Sequence, residues 1–201
     1  MNEAKIRLSA KEMELVTNAD WILTKNAIIQ KTKGLLEILL QRQQEILESY
    51  RTTLPIEVVS TTPKISKGEN YRGLPYLVLD HPRYFNKENI FAIRTMFWWG
   101  HFFSSTLHLS GQYKQQAEER IINAYPTLNS GSISINDDEW EHHFDRENYV
   151  PVRELDEAGF NEQVRQKKFL KLAYAVPLHQ WDDALVKLED HFTGWLKLLA
   201  D

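Results

Sequence analysis

Residues 64–111 read KISKGENYRGLPYLVLDHPRYFNKENIFAIRTMFWWGHFFSSTLHLSG, and they hold the clearest strand patterns in the chain. Four of the eight glycines fall here, together with a pair of adjacent tryptophans. Residues 89–99 and 101–109 are rich in aromatic and β-branched residues, which favour strands. We therefore predict that a β-hairpin in this stretch forms the middle of a sheet.

The predicted hairpin turns at Gly100 and His101, since glycine at the first central position suits a type II′ turn. In that register Trp99 lies opposite Phe102. Both faces of the hairpin are then largely apolar, so we expect a sheet that is covered on both sides. A slip of one residue would exchange the two faces, and the sequence alone does not fix the choice.

Shorter strands are predicted on both sides of the hairpin. They cover residues 56–59, 74–80, 132–136, 140–144 and 148–152. We expect a turn at residues 67–70 and the end of the second of these strands at His81-Pro82.

Helical patterns flank the strands. Ser9 and Glu12 have capping-box spacing. Ile22, Ile29 and Leu36 are seven residues apart and predict a long amphipathic helix over residues 21–50. Further helices are expected at residues 110–125, 157–175 and 178–199, and the last has a continuous apolar stripe.

These elements predict a single α+β domain over residues 1–201. A mainly antiparallel sheet of about four to six strands, with the aromatic hairpin at its centre, is covered by the long N-terminal helix and the two C-terminal helices. We expect the 21–50 helix to pack on this core. A homodimer through the same helix is the alternative interpretation.

The amino-acid composition argues against several classes of function. The 201 residues are 42% hydrophobic and carry a net charge of −4, which argues against a nucleic-acid-binding protein. The chain has no cysteine, which excludes disulfides, thiolate metal sites and a cysteine nucleophile. Neither a signal peptide nor an apolar run long enough for a bilayer is visible. We expect a soluble cytoplasmic protein that does not bind membranes.

We place a candidate ligand pocket between the turn at residues 67–72, the hairpin at residues 91–109 and the segment at residues 140–149, where polar and aromatic side chains are dense. Apolar walls with a few convergent polar groups are typical of small-molecule sites. The candidate ligand-binding residues are Lys67, Arg72, Arg94, Thr95, Trp99, Thr106 and His108.

Histidines and carboxylates offer a second candidate site, for a metal. A mononuclear centre needs three or four such groups around one cation, and adjacent histidines on a strand point to opposite faces. The candidate ligands are Asp80, His101, His108, His142 and His143, with Glu141 as an additional carboxylate. This set supports a metal-dependent hydrolase as an alternative function.

A third alternative is an anion or nucleic-acid site at the basic turn. Residues 64–94 contain six Lys or Arg and three Asp or Glu, a local net charge of +3. Tyrosines between these charges could stack on bases. The glycine-containing segments here match neither a P-loop nor a dinucleotide-binding fingerprint, and no GxSxG elbow occurs.

The segments KISKGENYRGLPYLVLDHPRYF, FAIRTMFWWGHFFSSTLHLSG and WEHHFDRENY resemble a family of uncharacterised bacterial proteins with no assigned activity. The resemblance covers nearly the whole chain and implies no catalytic residues. The leading interpretation is therefore a non-enzymatic cytoplasmic binding or interaction protein with a polar-aromatic pocket on the sheet. The sequence identifies neither a cofactor nor a particular ligand or protein partner.

Overall fold

Strands account for the centre of the molecule. The structure, a computed structural model, describes residues 6–200. Its strands are β1 (Lys64–Tyr71), β2 (Leu74–Phe85), β3 (Ile90–Trp98), β4 (Phe102–Ser110), β5 (Ser132–Ser134), β6 (Tyr149–Pro151) and β7 (Phe169–Pro177). They form one antiparallel sheet in the order β1-β2-β3-β4-β7-β5-β6. The predicted α+β fold is confirmed, with seven strands rather than four to six.

Residues 6–200 contain six α-helices, and all but the first contribute buried side chains to the core on one face of this sheet. They are α1 (Ala10–Thr17), α2 (Ala19–Glu48), α3 (Ile56–Val59), α4 (Gly111–Asn123), α5 (Glu157–Gln166) and α6 (Trp181–Ala200). The predicted capping box of Ser9 and Glu12 is present at α1, and the apolar stripe of α6 is buried. None of the helices in residues 6–200 combines the length and the apolar character needed to cross a bilayer.

The central hairpin forms as predicted but in the other register. Its loop has three residues, with Gly100 in the left-handed region at φ 76°, and Trp98 rather than Trp99 lies opposite Phe102. A three-residue loop with glycine in this conformation is a common hairpin connection. The shift of one residue exchanges the two faces. Arg94, Thr106 and His108 therefore share a face that Thr95 does not.

The strand β7 is the largest departure from the predicted elements. Residues 169–175 were expected to continue the helix that begins at 157, but that helix ends at Gln166. Leucine, alanine and lysine in FLKLAYAV favour helices in isolation. Pairing with all nine residues of β4 overrides this preference, because every second side chain can be buried against the helices.

Two turns also lie elsewhere than predicted. Residues 67–70 belong to β1, and the chain reverses at Arg72 and Gly73, whose φ angles are 50° and 85°. Two successive positive φ values fit the type I′ loop of a tight hairpin. The strand β2 does not end at His81-Pro82, since its pairing with β3 resumes after a register shift at Arg83.

Two predicted strands are absent from the described residues. Residues 56–59 form the short helix α3, which begins directly after Pro55, a residue that suits a helix start. Residues 140–144 have no regular structure and lie in the long connection between β5 and β6. This connection, residues 135–148, is called the strap below.

The two faces of the sheet have different covers. Side chains such as Leu79, Phe97 and Leu107 point to the helices and form apolar clusters with α2, α4 and α6. In α2 the buried side chains lie between Ile29 and Leu47, so this part of the helix packs on the core as predicted. The opposite face carries polar side chains, and the strap covers it.

Candidate functional site

The strap is a closed loop. The amide of Ile135, at its start, donates to the carbonyl of Asn148, at its end, over 2.8 Å. Inside the loop, the Asn148 amide group donates to the His143 carbonyl over 2.6 Å. Compact surface loops with paired ends are often functional. This loop extends from the β5-β6 edge back over the sheet, as far as the tip of β1.

Arg94 organises the sheet side of the site. It lies on β3 opposite Asp80 on one side and Thr106 on the other. Its guanidinium donates twice to the Asp80 carboxylate, over 2.7 and 3.0 Å. Its third nitrogen lies 2.9 Å from Nε2 of His142 in the strap. Arginine can only donate, so His142 accepts as a neutral imidazole. Burial, followed by the Lys171 and Arg94 charges, holds the pKa of His142 well below its usual value.

His108 links the sheet to the other end of the strap. Its Nε2 lies 3.1 Å from the Glu139 carboxylate. Burial, together with the nearby Lys171 and Arg94 charges, lowers the pKa of His108 to about 3. At neutral pH the contact is therefore a hydrogen bond from a neutral imidazole and not an ion pair. The same desolvation raises the pKa of Glu139.

Lys171 is a charged residue with unusual partners. It is 1% exposed and lies on β7 opposite His108. Its ammonium donates to the carbonyl oxygens of Glu139, over 3.0 Å, and of Glu141. Within residues 6–200 it forms no ion pair with a carboxylate. Burial, followed by repulsion from Arg94, lowers the pKa of Lys171 to about 7.

Tyr71 anchors the strap from the tip of β1. Its hydroxyl accepts from the backbone amides of His142 and His143, over 2.7 and 3.0 Å. It donates to the Glu141 carboxylate over 2.8 Å. Burial raises the pKa of Tyr71 to about 12, so the hydroxyl keeps its proton. One side chain thus satisfies two strap amides.

Tyr149 closes the floor of the site at the end of the strap. Its ring stacks on Phe144, with the ring centres 4.8 Å apart, and the Lys171 ammonium lies 5.6 Å from the ring centre. Burial raises the pKa of Tyr149, and a hydrogen bond with Thr106 opposes that shift. The Lys171 ammonium therefore lies between a neutral phenol ring and two backbone carbonyl groups.

A cavity of about 640 Å³ borders the site. Two of the residues that line it, Glu139 and Phe169, contact His108. Three lysines lie around it, and the residues that line it are Lys87, Glu88, Ser110, Gly111, Asp137, Glu139, Gln166, Lys167, Lys168 and Phe169. Lys171 and Arg94 are not among the residues that line this cavity.

The predicted ligand-binding residues divide between the two faces. Arg94, Thr106 and His108 lie together beneath the strap, and Arg72 reaches the outside of the strap through an ion pair of 2.6 Å with Asp145. Lys67 lies apart on the edge strand β1, paired with Glu69 over 2.6 Å.

Thr95 and Trp99 are placed away from this group. Thr95 is buried on the helix face, opposite Leu79. Trp99 lines a separate apolar groove with Phe97 and Trp181. The register shift of the hairpin is the reason that these two predicted residues do not join the others.

The predicted metal ligands do not form one group. His108 and Asp80 lie beneath the strap and His142 belongs to it, but Arg94 stands between the Asp80 carboxylate and His142. His101 stacks on Trp98 in the hairpin loop, with the ring centres 3.5 Å apart.

His143 belongs to a different cluster. Potential ligand atoms of His143, Asp145 and Glu147 lie within 4.8 Å of one another. The two ring nitrogens of His143 face Glu141 and Asp145, over 3.4 and 3.1 Å. The metal-dependent hydrolase stays a prediction.

Half of the six basic side chains in residues 64–94 are paired. Lys67, Arg72 and Arg94 each pair with a carboxylate of this chain. The guanidinium of Arg83 lies 5.9 Å from the centre of the Phe85 ring. The anion or nucleic-acid alternative stays a prediction.

Sequence reasoning missed Lys171. Tyr71 was considered only for stacking beside the basic turn, and Tyr149 only as the end of the segment at residues 140–149. Lys171 was hidden because its segment was interpreted as a helix, in which a lysine takes the polar face without further meaning. A single lysine inside an apolar run that forms a central strand would have indicated a buried cation. Glu139 was noted only as part of an acidic run.

No family model, curated protein or solved structure matches this chain. The function is therefore inferred from the geometry beneath the strap.

Proposed function

We propose that the protein is a non-enzymatic binding protein for a small anionic ligand that carries a carboxylate or phosphate group. The ligand's anionic group would bind Lys171 and Arg94 beneath the strap. His108, His142 and Thr106 would supply further polar contacts.

The single observation that carries this proposal is that Lys171 is buried and donates to backbone carbonyls rather than to a carboxylate. A buried lysine normally has a carboxylate partner, because an unpaired charge is costly to desolvate. Lys171 instead donates to two strap carbonyls, and Asp80, the buried carboxylate of the site, is held by Arg94. Lys171 is thus a buried cation without a carboxylate in ion-pair contact among the described residues, although the Asp138, Glu139 and Glu141 charges act on it from a greater distance. An anion would neutralise that cation and replace two neutral acceptors by charged ones.

The strap is suited to act as a lid. It lacks regular secondary structure and is held by polar contacts from Tyr71, His108 and Lys171. The cavity at Glu139 supplies an entrance from the solvent. If Glu139 moved outward, its backbone carbonyl would leave the Lys171 ammonium, and the cavity would extend to that ammonium.

The test is isothermal titration calorimetry of the whole chain with inorganic phosphate and with a panel of small mono- and dicarboxylates. Lys171→Met keeps the side chain's length and removes its charge. The matched control is Lys114→Met, which removes a second buried lysine that is paired with Glu118 over 2.9 Å. We expect Lys171→Met to weaken binding at least about tenfold, since a charge-assisted hydrogen bond contributes roughly 1.5–3 kcal/mol. Lys114→Met should bind as the wild type does.

Proton linkage provides a second readout. The pKa of Lys171 is lowered to about 7, so the amine is mostly neutral at pH 8. A bound anion raises this pKa, and binding at pH 8 should take up a proton, measured by repeating the titration in buffers of different ionisation enthalpy. Binding without proton uptake, equal loss in the two variants, or no binding across the panel would each contradict the proposal.

A further inference from the structure

Exposed apolar side chains are concentrated at the start of the described chain. Residues 6–200 contain twelve large hydrophobic side chains that are exposed, and eight of them fall within residues 6–23. The eight are Ile6, Leu8, Met13, Leu15, Val16, Trp21, Ile22 and Leu23. Single exposed hydrophobics are normal, but a contiguous group marks an interaction surface. Residues 6–23 are called the arm below.

The arm projects beyond the sheet that buries the rest of α2. Ile22, Ile29 and Leu36 share one stripe of this helix, and their exposed fractions are 46%, 4% and 0%. The apolar stripe continues along the whole helix, but it is buried only from Ile29 onward, and the first turns of α2 leave it exposed. The preceding helix α1 has eight residues and none of them is buried. Helices of this length are marginal in water without a packing partner.

The arm offers enough apolar surface for an interaction. Each of its eight large hydrophobic side chains is between 43% and 74% exposed. An exposed apolar patch on the order of several hundred Å² is typical of protein–protein interaction sites. Pairing with a second arm would cover this surface on both chains at once.

The charges of the arm favour a second copy of this chain. Arg7 and Lys11 give residues 7–11 a charge of +2, whereas Glu12, Glu14 and Asp20 give residues 12–20 a charge of −3. A two-fold axis places the basic part of one arm opposite the acidic part of the other when the arms run antiparallel. A membrane-binding helix would instead need an excess of lysine and arginine. We propose that the protein forms a homodimer through antiparallel pairing of the two arms.

This dimer is measured by sedimentation equilibrium of the full chain over a concentration series. Val16→Glu and Leu23→Glu each put a charge into the interface, and both side chains are exposed, so the fold of the monomer should be kept. Each substitution occurs twice in the dimer, and we expect the dissociation constant to rise on the order of 100-fold. Val186→Glu on α6 is the matched control, since Val186 and Leu23 are 55% and 62% exposed.

Charge exchange tests the antiparallel direction. Arg7→Glu/Lys11→Glu makes the whole arm acidic, and Glu14→Lys/Asp20→Lys makes it basic on balance. Each variant alone should be monomeric at concentrations where the wild type is dimeric, and an equal mixture of the two should form heterodimers.

Three outcomes would overturn the proposal. They are a wild-type monomer at about 100 µM, dimers that persist in both glutamate variants, and no heterodimer from the mixture. A monomer that floats with vesicles of phosphatidylcholine and phosphatidylserine would assign the arm to membranes instead.

Discussion

The two faces of the central sheet are built from adjacent residues of the same strands but follow different physical rules. On β3, Phe97 and Ile93 enter the apolar clusters beneath the helices, while Arg94 enters a buried polar network beneath the strap. The helix face needs only apolar volume of the right shape. The strap face needs each donor to meet its acceptor, because an unmade buried hydrogen bond is costly.

Because of this difference, one face of the sheet determines the stability of the fold, and the other face is able to open locally. Apolar packing beneath α6 is non-directional and is lost only when the helix leaves the sheet. The contacts of Lys171 and Tyr71 with the strap are directional and can be exchanged for water or ligand groups one at a time. The helix face therefore holds the fold, and the strap face is suited to binding.

The strongest test of this difference is to truncate one aromatic side chain in the helices and one in the strap. Phe192→Ala empties a fully buried position under α6, and we expect a loss of about 3–5 kcal/mol in the free energy of unfolding. Trp140→Ala in the strap removes a ring that is half exposed, and its loss should be smaller by at least about 2 kcal/mol. Urea unfolding of both variants measures this. Equal losses would mean that the strap belongs to the core.

A smaller effect is expected from removing one partner of the Arg94–Asp80 pair. Arg94→Met leaves a buried carboxylate without its partner, and we expect a loss of about 3 kcal/mol. The double variant Asp80→Asn/Arg94→Met removes both charges and should recover more than half of that loss. Unfolding in urea, compared with each single variant, gives the coupling energy. Simple additivity of the two substitutions would show that the pair is not coupled.

Next in size is the effect of the strap's anchor at Tyr71. Tyr71→Phe leaves the amides of His142 and His143 without their acceptor, and the free energy of opening the strap should fall by about 1–3 kcal/mol. Hydrogen exchange of these amides should accelerate, while exchange in α6 stays unchanged. A uniform acceleration across both covers would mean that the strap does not open on its own.

The smallest effect for a single side chain comes from the titration of each buried histidine. The pKa of His108 is lowered to about 3, and those of His81 and His191 to about 4, in each case mainly by burial. The unfolded chain binds protons near pH 6.5, so it takes up more protons than the folded chain as the pH falls below that value. Stability is therefore lost on acidification, by roughly 1.5 kcal/mol for each histidine between pH 6.5 and 5.

His108→Gln sharpens this prediction because His108 lies on the strap face. His142, whose pKa burial also holds well below its usual value, is a fourth histidine that acts in this way. The His108→Gln variant should therefore lose about a quarter of the pH dependence in that range, measured as urea unfolding at pH 6.5, 6 and 5. His101→Gln is the control, since His101 is exposed in the hairpin loop. If both variants keep the wild-type slope, His108 does not titrate as its burial requires.

Local patterns predicted most of the fold. The helices α1, α2, α4 and α6 each carry a periodic stripe or cap that operates within a few residues, and each forms where it was expected. The hairpin was predictable for the same reason. Its register was not, because two loops that differ by one residue are both compatible with Gly100, and only burial of one face against the helices selects between them.

The site was predictable only in part. Arg94, Thr106 and His108 were identified as candidates because polar side chains are unusual in an aromatic hairpin. Lys171 was not identified because the segment FLKLAYAV has helical propensity. This segment forms a strand only through its pairing with β4, which lies about sixty residues earlier in the chain. Long-range pairing of this kind leaves no local mark.

The sequence by itself determined the elements whose physics is local: the caps, the apolar stripes, the aromatic hairpin and the α+β class. The tertiary structure decided which face of the sheet became the site. That decision needed the pairing of β7 with β4, which puts Lys171 beside His108, and the folding of the strap back over the sheet. Both depend on partners distant in sequence, because hydrogen bonds and buried charges depend on where atoms meet in space and not on their order along the chain.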